Sequence, residues 1–282
     1  MKCAWQAYLN LLPHWMRTEV DQYGKDKLQE LHMRIGLPPI MQLGFGIRKL
    51  TRCVAAEDVT FVINAASSYS PWAAKTLAKG YLTGQGGHRI GVCGIATMNN
   101  GVMCGISKPM SLCVRVARDF DGISAKVSAI SDSILIIGPP GSGKTTFLRD
   151  LIRKKSNAYQ GNISVVDERE ELFPLCNGQA CFDAGIHTDI LSGCRKADGI
   201  EAVLRCMNPS WIAVDEITER VDCEALLHAG WCGVNLMATA HAGSLQDFLS
   251  RPVYNPLVEC KLFSTILILR RDKSWTLERM YI

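Results

Sequence analysis

Gly138-Pro139-Pro140-Gly141-Ser142-Gly143-Lys144-Thr145-Thr146 is the stretch on which the reading of this chain turns. It matches G-x-x-x-x-G-K-[ST] in full, the pattern of a loop that cradles phosphate. Each residue type answers to the chemistry. Gly141 and Gly143 let the backbone curl until successive N–H groups point inward at phosphate oxygens. Lys144 brings a positive charge to the β- and γ-phosphates, and Thr145 offers a hydroxyl to Mg²⁺. Upstream, Ile134-Leu135-Ile136-Ile137 is a continuous apolar run, as in a strand buried on both faces. Downstream, residues 145–155 read as a helix whose N-terminus adds its positive dipole end. A nucleoside triphosphate is therefore the expected ligand, held by residues 138–146. The Asn-Lys-x-Asp run with which small GTPases read guanine does not occur in the sequence, which favours ATP.

Phosphate binding alone does not give hydrolysis, which also needs an acid for magnesium and a group that positions water. Trp211-Ile212-Ala213-Val214-Asp215-Glu216 supplies both at the end of an apolar strand. Asp215 is expected to hold Mg²⁺ and Glu216 to polarise the attacking water as general base. Ligands of open α/β sheets bind at the carboxyl ends of strands, where both acids fall. A second acidic strand end, Ile163-Ser164-Val165-Val166-Asp167-Glu168-Arg169-Glu170-Glu171, could face the same crevice, with Asp167 or Glu168 ordering magnesium or water. In Leu236-Met237-Ala238-Thr239-Ala240-His241 a third strand delivers Thr239 and His241 to its end. His241 is there either to bond the γ-phosphate or the water, or as a structural histidine.

Strand-like runs at 134–137, 163–166, 211–214 and 234–239 alternate with helical patterns at 145–155, 197–207 and 222–229. That alternation predicts an α/β domain with a mainly parallel sheet. The part before it has another character. Apolar residues Trp5, Tyr8, Leu9, Leu12 and Trp15 recur at helical spacing, and Pro13 splits them into two short helices. Residues 31–35 alternate and stop at Gly36-Leu37-Pro38-Pro39, and 40–43 return as a partner strand. Helices are expected over 57–67 and 72–79, the second capped by Ser70 with Pro71 at its first position. Gly84-Gln85-Gly86-Gly87 is a tight turn. Asn99-Asn100-Gly101 is a hairpin turn between strand-like 89–97 and 111–117. A further helix is expected over 122–130. The division is a small α+β domain over 1–125 and a P-loop domain over 126–282.

The 282 residues are 48% hydrophobic and 21% charged, which excludes disorder as the ground state. No apolar run approaches the ~20 residues of a membrane helix, and the start carries no signal-peptide stretch. A soluble, cytoplasmic protein is expected. A net charge of +4 with scattered Lys and Arg, and only 7% aromatics, gives no strong nucleic-acid signal. The twelve cysteines form no C-x-x-C pair, and most are expected to be buried, reduced thiols. Cys176 and Cys181 are the remaining metal or redox candidates.

The motif order is phosphate loop, acidic strand end, Asp-Glu strand end, Thr-Ala-His. In that order it resembles the secretion and pilus-motor ATPases, with their Walker A, Asp-box, Walker B and His-box motifs. Leu31-His32-Met33-Arg34-Ile35-Gly36-Leu37-Pro38-Pro39 and Leu204-Arg205-Cys206-Met207-Asn208-Pro209-Ser210 agree. Within that superfamily, three stretches resemble the stage III AA family of endospore-forming bacteria. They are Tyr81-Leu82-Thr83-Gly84-Gln85-Gly86-Gly87-His88-Arg89-Ile90-Gly91-Val92, Thr145-Thr146-Phe147-Leu148-Arg149-Asp150-Leu151-Ile152-Arg153 and Val165-Val166-Asp167-Glu168-Arg169-Glu170-Glu171. The resemblance implies a RecA-like P-loop ATPase domain behind a small α+β domain, working as a ring, expected to be a hexamer, with ATP at subunit interfaces. It implies a role in powering or assembling the channel between mother cell and forespore, on the cytoplasmic side of a membrane and docked to an integral platform protein. One departure is Asp215, where many secretion ATPases carry Gly before the Walker B glutamate; this blurs the role of Glu168.

Ring ATPases complete their sites with arginines that stabilise charge on the transferring γ-phosphoryl group. Arg89 and Arg115 are the first candidates, with Arg118 and Arg205 behind them. Two other function classes stand beside the ATPase: a RecA-like nucleic-acid motor or binder, and a nucleotide-gated scaffold with little turnover. The acids at 215 and 216 argue against an inert scaffold.

Overall fold

The computed structural model describes residues 1–67, 77–78, 80–159, 161–176 and 179–280. Two compact units emerge, Met1–Asp119 with Pro174–Phe182, and Phe120–Phe173 with Asp183–Ile282.

In the first unit Pro13 does split the opening segment, into helices Trp5–Leu11 and His14–Asp21. Tyr8, Leu9, Leu12, Met16 and Val20 point from them into the core. A six-stranded sheet follows, built from β1 (Leu28–Arg34), β2 (Ile40–Leu43), β3 (Gly46–Lys49), β4 (Tyr81–Thr83), β5 (Arg89–Asn99) and β6 (Val102–Arg115). Its order is β3-β2-β1-β6-β5-β4, and every pair is antiparallel. Alternation sets the faces: Leu31 and Met33 of β1 are buried while Glu30 and His32 are half-buried on the other side. Helix Ala56–Ser67 covers the apolar face with Val59 and Val62. The helix expected over 72–79, with Ser70 and Pro71, lies outside the described residues apart from 77 and 78.

The two glycine turns do what their residues allow. Asn100 and Gly101 both take positive φ (48° and 78°) and join β5 to β6 in a two-residue hairpin. Gly86 has φ 79°, and a Cβ there would lie 2.4 Å from Ala4 Cβ. Beside it the buried His88 accepts from the Ala117 amide through Nδ1 and donates from Nε2 to Ala4 O. Burial holds that imidazole below its ordinary pKa. The short strands β9 (Leu175–Cys176) and β10 (Gln179–Ala180) belong to this unit and pair with each other.

The second unit carries a seven-stranded sheet. Its strands are β7 (Ile134–Gly138), β8 (Ile163–Asp167), β11 (Thr188–Ser192), β12 (Trp211–Ile217), β13 (Asn235–His241), β14 (Thr265–Leu269) and β15 (Trp275–Arg279). The order is β11-β8-β12-β13-β7-β14-β15, parallel throughout except for the β14–β15 pair. β7, β8 and β14 are buried along their whole length, as continuous apolar runs require. Helices Lys144–Asn157, Lys196–Cys206 and Arg220–Trp231 connect the strands, so the predicted α/β alternation holds.

Two expectations fail. Residues 122–130 are not a helix but consecutive turns, with i→i+3 bonds such as Val127 N to Ser124 O. The reason is distant in sequence: the buried Asp150 carboxylate accepts from the amides of Gly122 (3.0 Å) and Ser124 (2.8 Å) and from Ser124 Oγ (2.7 Å). The cysteines are all free, yet only Cys223 is buried; six, including Cys93 and Cys104, are exposed. Beyond Val92, β5 and its partner β6 extend past the packed part of the sheet, so apolar neighbours in sequence do not bury them.

Candidate functional site

The phosphate loop begins where β7 ends. Gly138 closes the strand, Gly141 and Gly143 take positive φ (75° and 102°), and Gly143 precedes helix Lys144–Asn157 as its N-cap. The left-handed turn at Gly143 is what lets the helix start face back across the sheet. Ser142 Oγ is buried and has no hydrogen-bond partner among the described residues.

Lys144 is buried, and its Nζ donates to Gly138 O (3.0 Å) and Pro139 O (3.3 Å) and lies 3.0 Å from His241 Nδ1. Burial lowers its pKa, and the Asp215 and Glu216 carboxylates oppose that shift. An ammonium has no lone pair to accept with, so Nδ1 of His241 is the acceptor and the ring proton sits on Nε2. Nε2 donates to Glu216 Oε1. Arg169 Nη1 bonds the other oxygen, Glu216 Oε2, at 2.6 Å.

The strand order explains why these groups meet. β13 lies between β7 and β12, so His241 at its end stands between the loop after β7 and the acids ending β12. Thr145 Oγ1 donates to Asp215 Oδ2 (2.8 Å), and Thr239 Oγ1 donates to Asp215 Oδ1 (2.5 Å). Thr239 Oγ1 in turn accepts from the Glu216 amide at 2.7 Å. That bond belongs to a break in the β12–β13 register between Val214 and Ile217, where Glu216 takes φ 57°. The bulge lifts Glu216 out of the strand's alternation and aims it at His241. Burial pushes the Asp215 pKa up; the two threonine hydroxyls oppose this, and Glu171 and Glu216 add to it. Hydroxyl and carboxylate oxygens side by side at a helix start form a donor set that fits magnesium.

β8 neighbours β12, so the second acidic strand end faces the same crevice. Asp167, Glu168, Glu171, Asp215 and Glu216 line it with Arg169 and Lys196. Its acids are already engaged. Asp167 is buried, and its carboxylate accepts from the amides of Glu171 (2.9 Å), Leu172 (3.0 Å) and Phe173 (2.8 Å), fixing the turn after β8. Burial outweighs those bonds and raises its pKa to about 6. Glu168 Oε2 lies 2.6 Å from Nζ of the buried Lys196, which also faces Asp222 at 3.7 Å. Burial alone would raise the Glu168 pKa, and Lys196 reverses it.

The loop, Asp215, Glu216, Thr239 and His241 are thus brought together, with Glu168 on the rim. The arginines lie elsewhere. Arg115 pairs with Glu30 at 3.1 Å and Arg89 stacks over Tyr81 at 4.3 Å, both in the first unit. Arg118 donates to Lys25 O, and Arg205 makes an exposed pair with Glu201. Two residues were not anticipated. Arg169 sat unassigned inside the acidic run. Lys273, in the β14–β15 hairpin, donates from Nζ to Gly141 O at 2.5 Å, and no local pattern marks it.

Comparison with known proteins gives a family and a fold. The family model for sporulation stage III, protein AA, matches residues 7–280. The stage III sporulation protein AA of Bacillus subtilis (strain 168) is 33% identical over 277 residues, which cover 93% of this chain and 90% of that protein. Among solved structures, the Legionella pneumophila ATPase DotB superposes with a TM-score of 0.58 at 16% identity, covering 95% of this chain and 80% of that one. The pilus retraction motor PilT with bound ADP gives 0.62 at 16% identity, covering 89% and 76%. At that identity the likeness establishes the fold: a RecA-like P-loop domain with a smaller α+β unit before it.

Proposed function

The chain belongs to the sporulation stage III, protein AA family, and from that premise we propose that it is a magnesium-dependent ATPase that powers or assembles a secretion-like channel, the one between mother cell and forespore. The observation that carries this reading is the bond from Thr145 Oγ1 to Asp215 Oδ2, with Glu216 next in sequence and turned toward the loop. It ties the helix start that would receive phosphates to the strand end that would ready water.

The residues divide the work as follows. Amides of 138–146 bind the polyphosphate tail, and Lys144 leaves its backbone acceptors to meet the β- and γ-oxygens. Thr145 and Asp215 would hold magnesium, which supplies neutralising charge for the phosphates when bound. Glu216 accepts the proton of the attacking water; each of its oxygens keeps a second lone pair beyond the bonds from His241 and Arg169. Departure of Lys144 also releases His241 Nδ1, so His241 couples loop occupancy to the geometry of Glu216.

Family membership and the DotB-like fold support a ring of copies, proposed as six, docked on an integral membrane platform protein. The attachment proposed is peripheral; no described helix is long and apolar enough to cross a membrane. In that ring Arg89 and Arg115 are proposed to complete a neighbouring site. Phosphate release by wild type and Glu216→Gln tests the mechanism, and mass in solution with and without ATP tests the ring. Equal turnover of the two proteins rejects the role of Glu216. Normal turnover of assembled Arg115→Ala removes that arginine.

A further inference from the structure

On the solvent face of the first unit's sheet, four polar side chains form a square. Glu30 and His32 are two apart on β1 and so share a face. The register sets Arg115 of β6 opposite Glu30 and Cys113 opposite His32. Among the described residues this is the one place where ligand atoms of three metal-ligating groups all lie within 4.8 Å of one another. Glu30 Oε2 lies 3.3 Å from His32 Nε2, Cys113 Sγ lies 3.7 Å from Glu30 Oε2, and Cys113 Sγ lies 3.9 Å from His32 Nε2.

We propose that Glu30, His32 and Cys113 form a binding site for a zinc-class divalent ion, with a fourth coordination position open to solvent. The argument is geometric. Tetrahedral ligands at about 2.0–2.3 Å from such an ion stand about 3.3–3.6 Å from each other. The three separations match that spacing to within a few tenths of an ångström, before any ion draws them in. The donor set selects the ion: thiolate and imidazole suit zinc and its neighbours, whereas magnesium and calcium require oxygen. Three protein ligands with one free position is the open form of such sites.

The surroundings agree. Arg115 Nε holds the other Glu30 oxygen, Oε1, at 3.1 Å, which leaves Oε2 facing the histidine and the thiol. The guanidinium also costs affinity by its charge, so the site is of moderate strength. The next strand places Gly91 beside Cys113, so no side chain crowds the thiol from that side. Cys113 now donates its proton to Glu30, and metal binding must release that proton. The occupied site would pin β1 to β6, the two central strands of the sheet.

The test uses the full-length chain, stripped with chelator, and cobalt(II) or zinc(II) as the probe. Cobalt(II) is expected to give the intense visible absorption of a tetrahedral site together with a thiolate charge-transfer band. Cys113→Ser removes that band, His32→Gln weakens binding by at least about tenfold, and the exposed-thiol control Cys104→Ser leaves both unchanged. A band that survives Cys113→Ser, or no band in the wild type, overturns the proposal. A second readout needs no variant. Zinc should protect Cys113 from alkylation, read by mass spectrometry, and leave Cys104 as reactive as before. Equal reactivity of Cys113 with and without zinc overturns it.

Discussion

Lys144 Nζ lies 3.0 Å from Nδ1 of His241, so the lysine of the glycine loop and the ring that bonds Glu216 share one hydrogen bond. A ligand that draws Lys144 away changes His241, and through it Glu216. Replacement His241→Ala is therefore expected to separate binding from turnover. Affinity for ATP stays near wild type, because the lysine no longer leaves a partner behind. The rate falls by about 10–100-fold, the worth of one hydrogen bond to a charged group at about 1.5–3 kcal/mol. Kd by titration and kcat by phosphate release check it; a parallel loss in both would place His241 in binding.

Glu216→Gln keeps the size of the side chain and one acceptor oxygen for His241 or Arg169, but its amide nitrogen cannot accept the second bond, and the basic carboxylate is gone. Turnover is expected to drop on the order of 10²–10⁴-fold, with ATP still bound. Nucleotide retained on the variant after gel filtration, identified by chromatography, would show the trapped substrate.

Asp150 is fully buried and accepts from Gly122, Ser124 and Arg153, the last at 2.6 Å. Asp150→Ala removes the acceptor those amides use and leaves a buried guanidinium without its nearest carboxylate. A loss of about 3–5 kcal/mol is expected in denaturant unfolding. Wild-type-like stability would mean the turns over 122–130 hold by themselves.

The same residue shows where the sequence stops being legible. The loop, its strand and its helix are readable because their determinants lie in one continuous stretch, residues 134–155. The acid pair at 215 and 216 was readable because an apolar run ends in it. Residues 122–130 carry a helical pattern, but their amides are satisfied by an acid on another element, which no local pattern announces. Asp167 carries the look of a magnesium acid, yet it accepts three amides of its own turn. The bulge that aims Glu216 depends on Thr239 of the neighbouring strand. Cys93 and Cys104 have apolar neighbours in sequence yet are exposed, because the β5–β6 hairpin outruns its sheet.

Lys273 touches the phosphate loop from the last hairpin, 132 residues from the glycine it bonds. Its ammonium stands beside Gly141 and is exposed. Lys273→Ala is expected to weaken ATP binding by at most about fivefold, since an exposed charge is worth at most about 1 kcal/mol. The effect should shrink with added salt. Isothermal titration at two ionic strengths measures both.

Lys155 gives a pH signature free of the nucleotide site. Its side chain is buried, with Nζ 4.1 Å from the Trp211 ring centre and donating to Ile130 O. Burial lowers its pKa from 10.5 to about 8, against the pull of Asp132. Between those two values the unfolded chain binds a proton that the folded chain has lost, so stability rises with pH across this window. The gain is at most about 3 kcal/mol. Other groups titrate there too, so the measured quantity is the difference between wild type and Lys155→Met. Met keeps the apolar stem and carries no charge. The variant should be the more stable at pH 7, and its advantage should shrink steadily from pH 8 to 10.5. An advantage that does not change with pH would mean that Lys155 keeps its proton inside the protein, and that the Ile130 carbonyl and the Trp211 ring together compensate its burial.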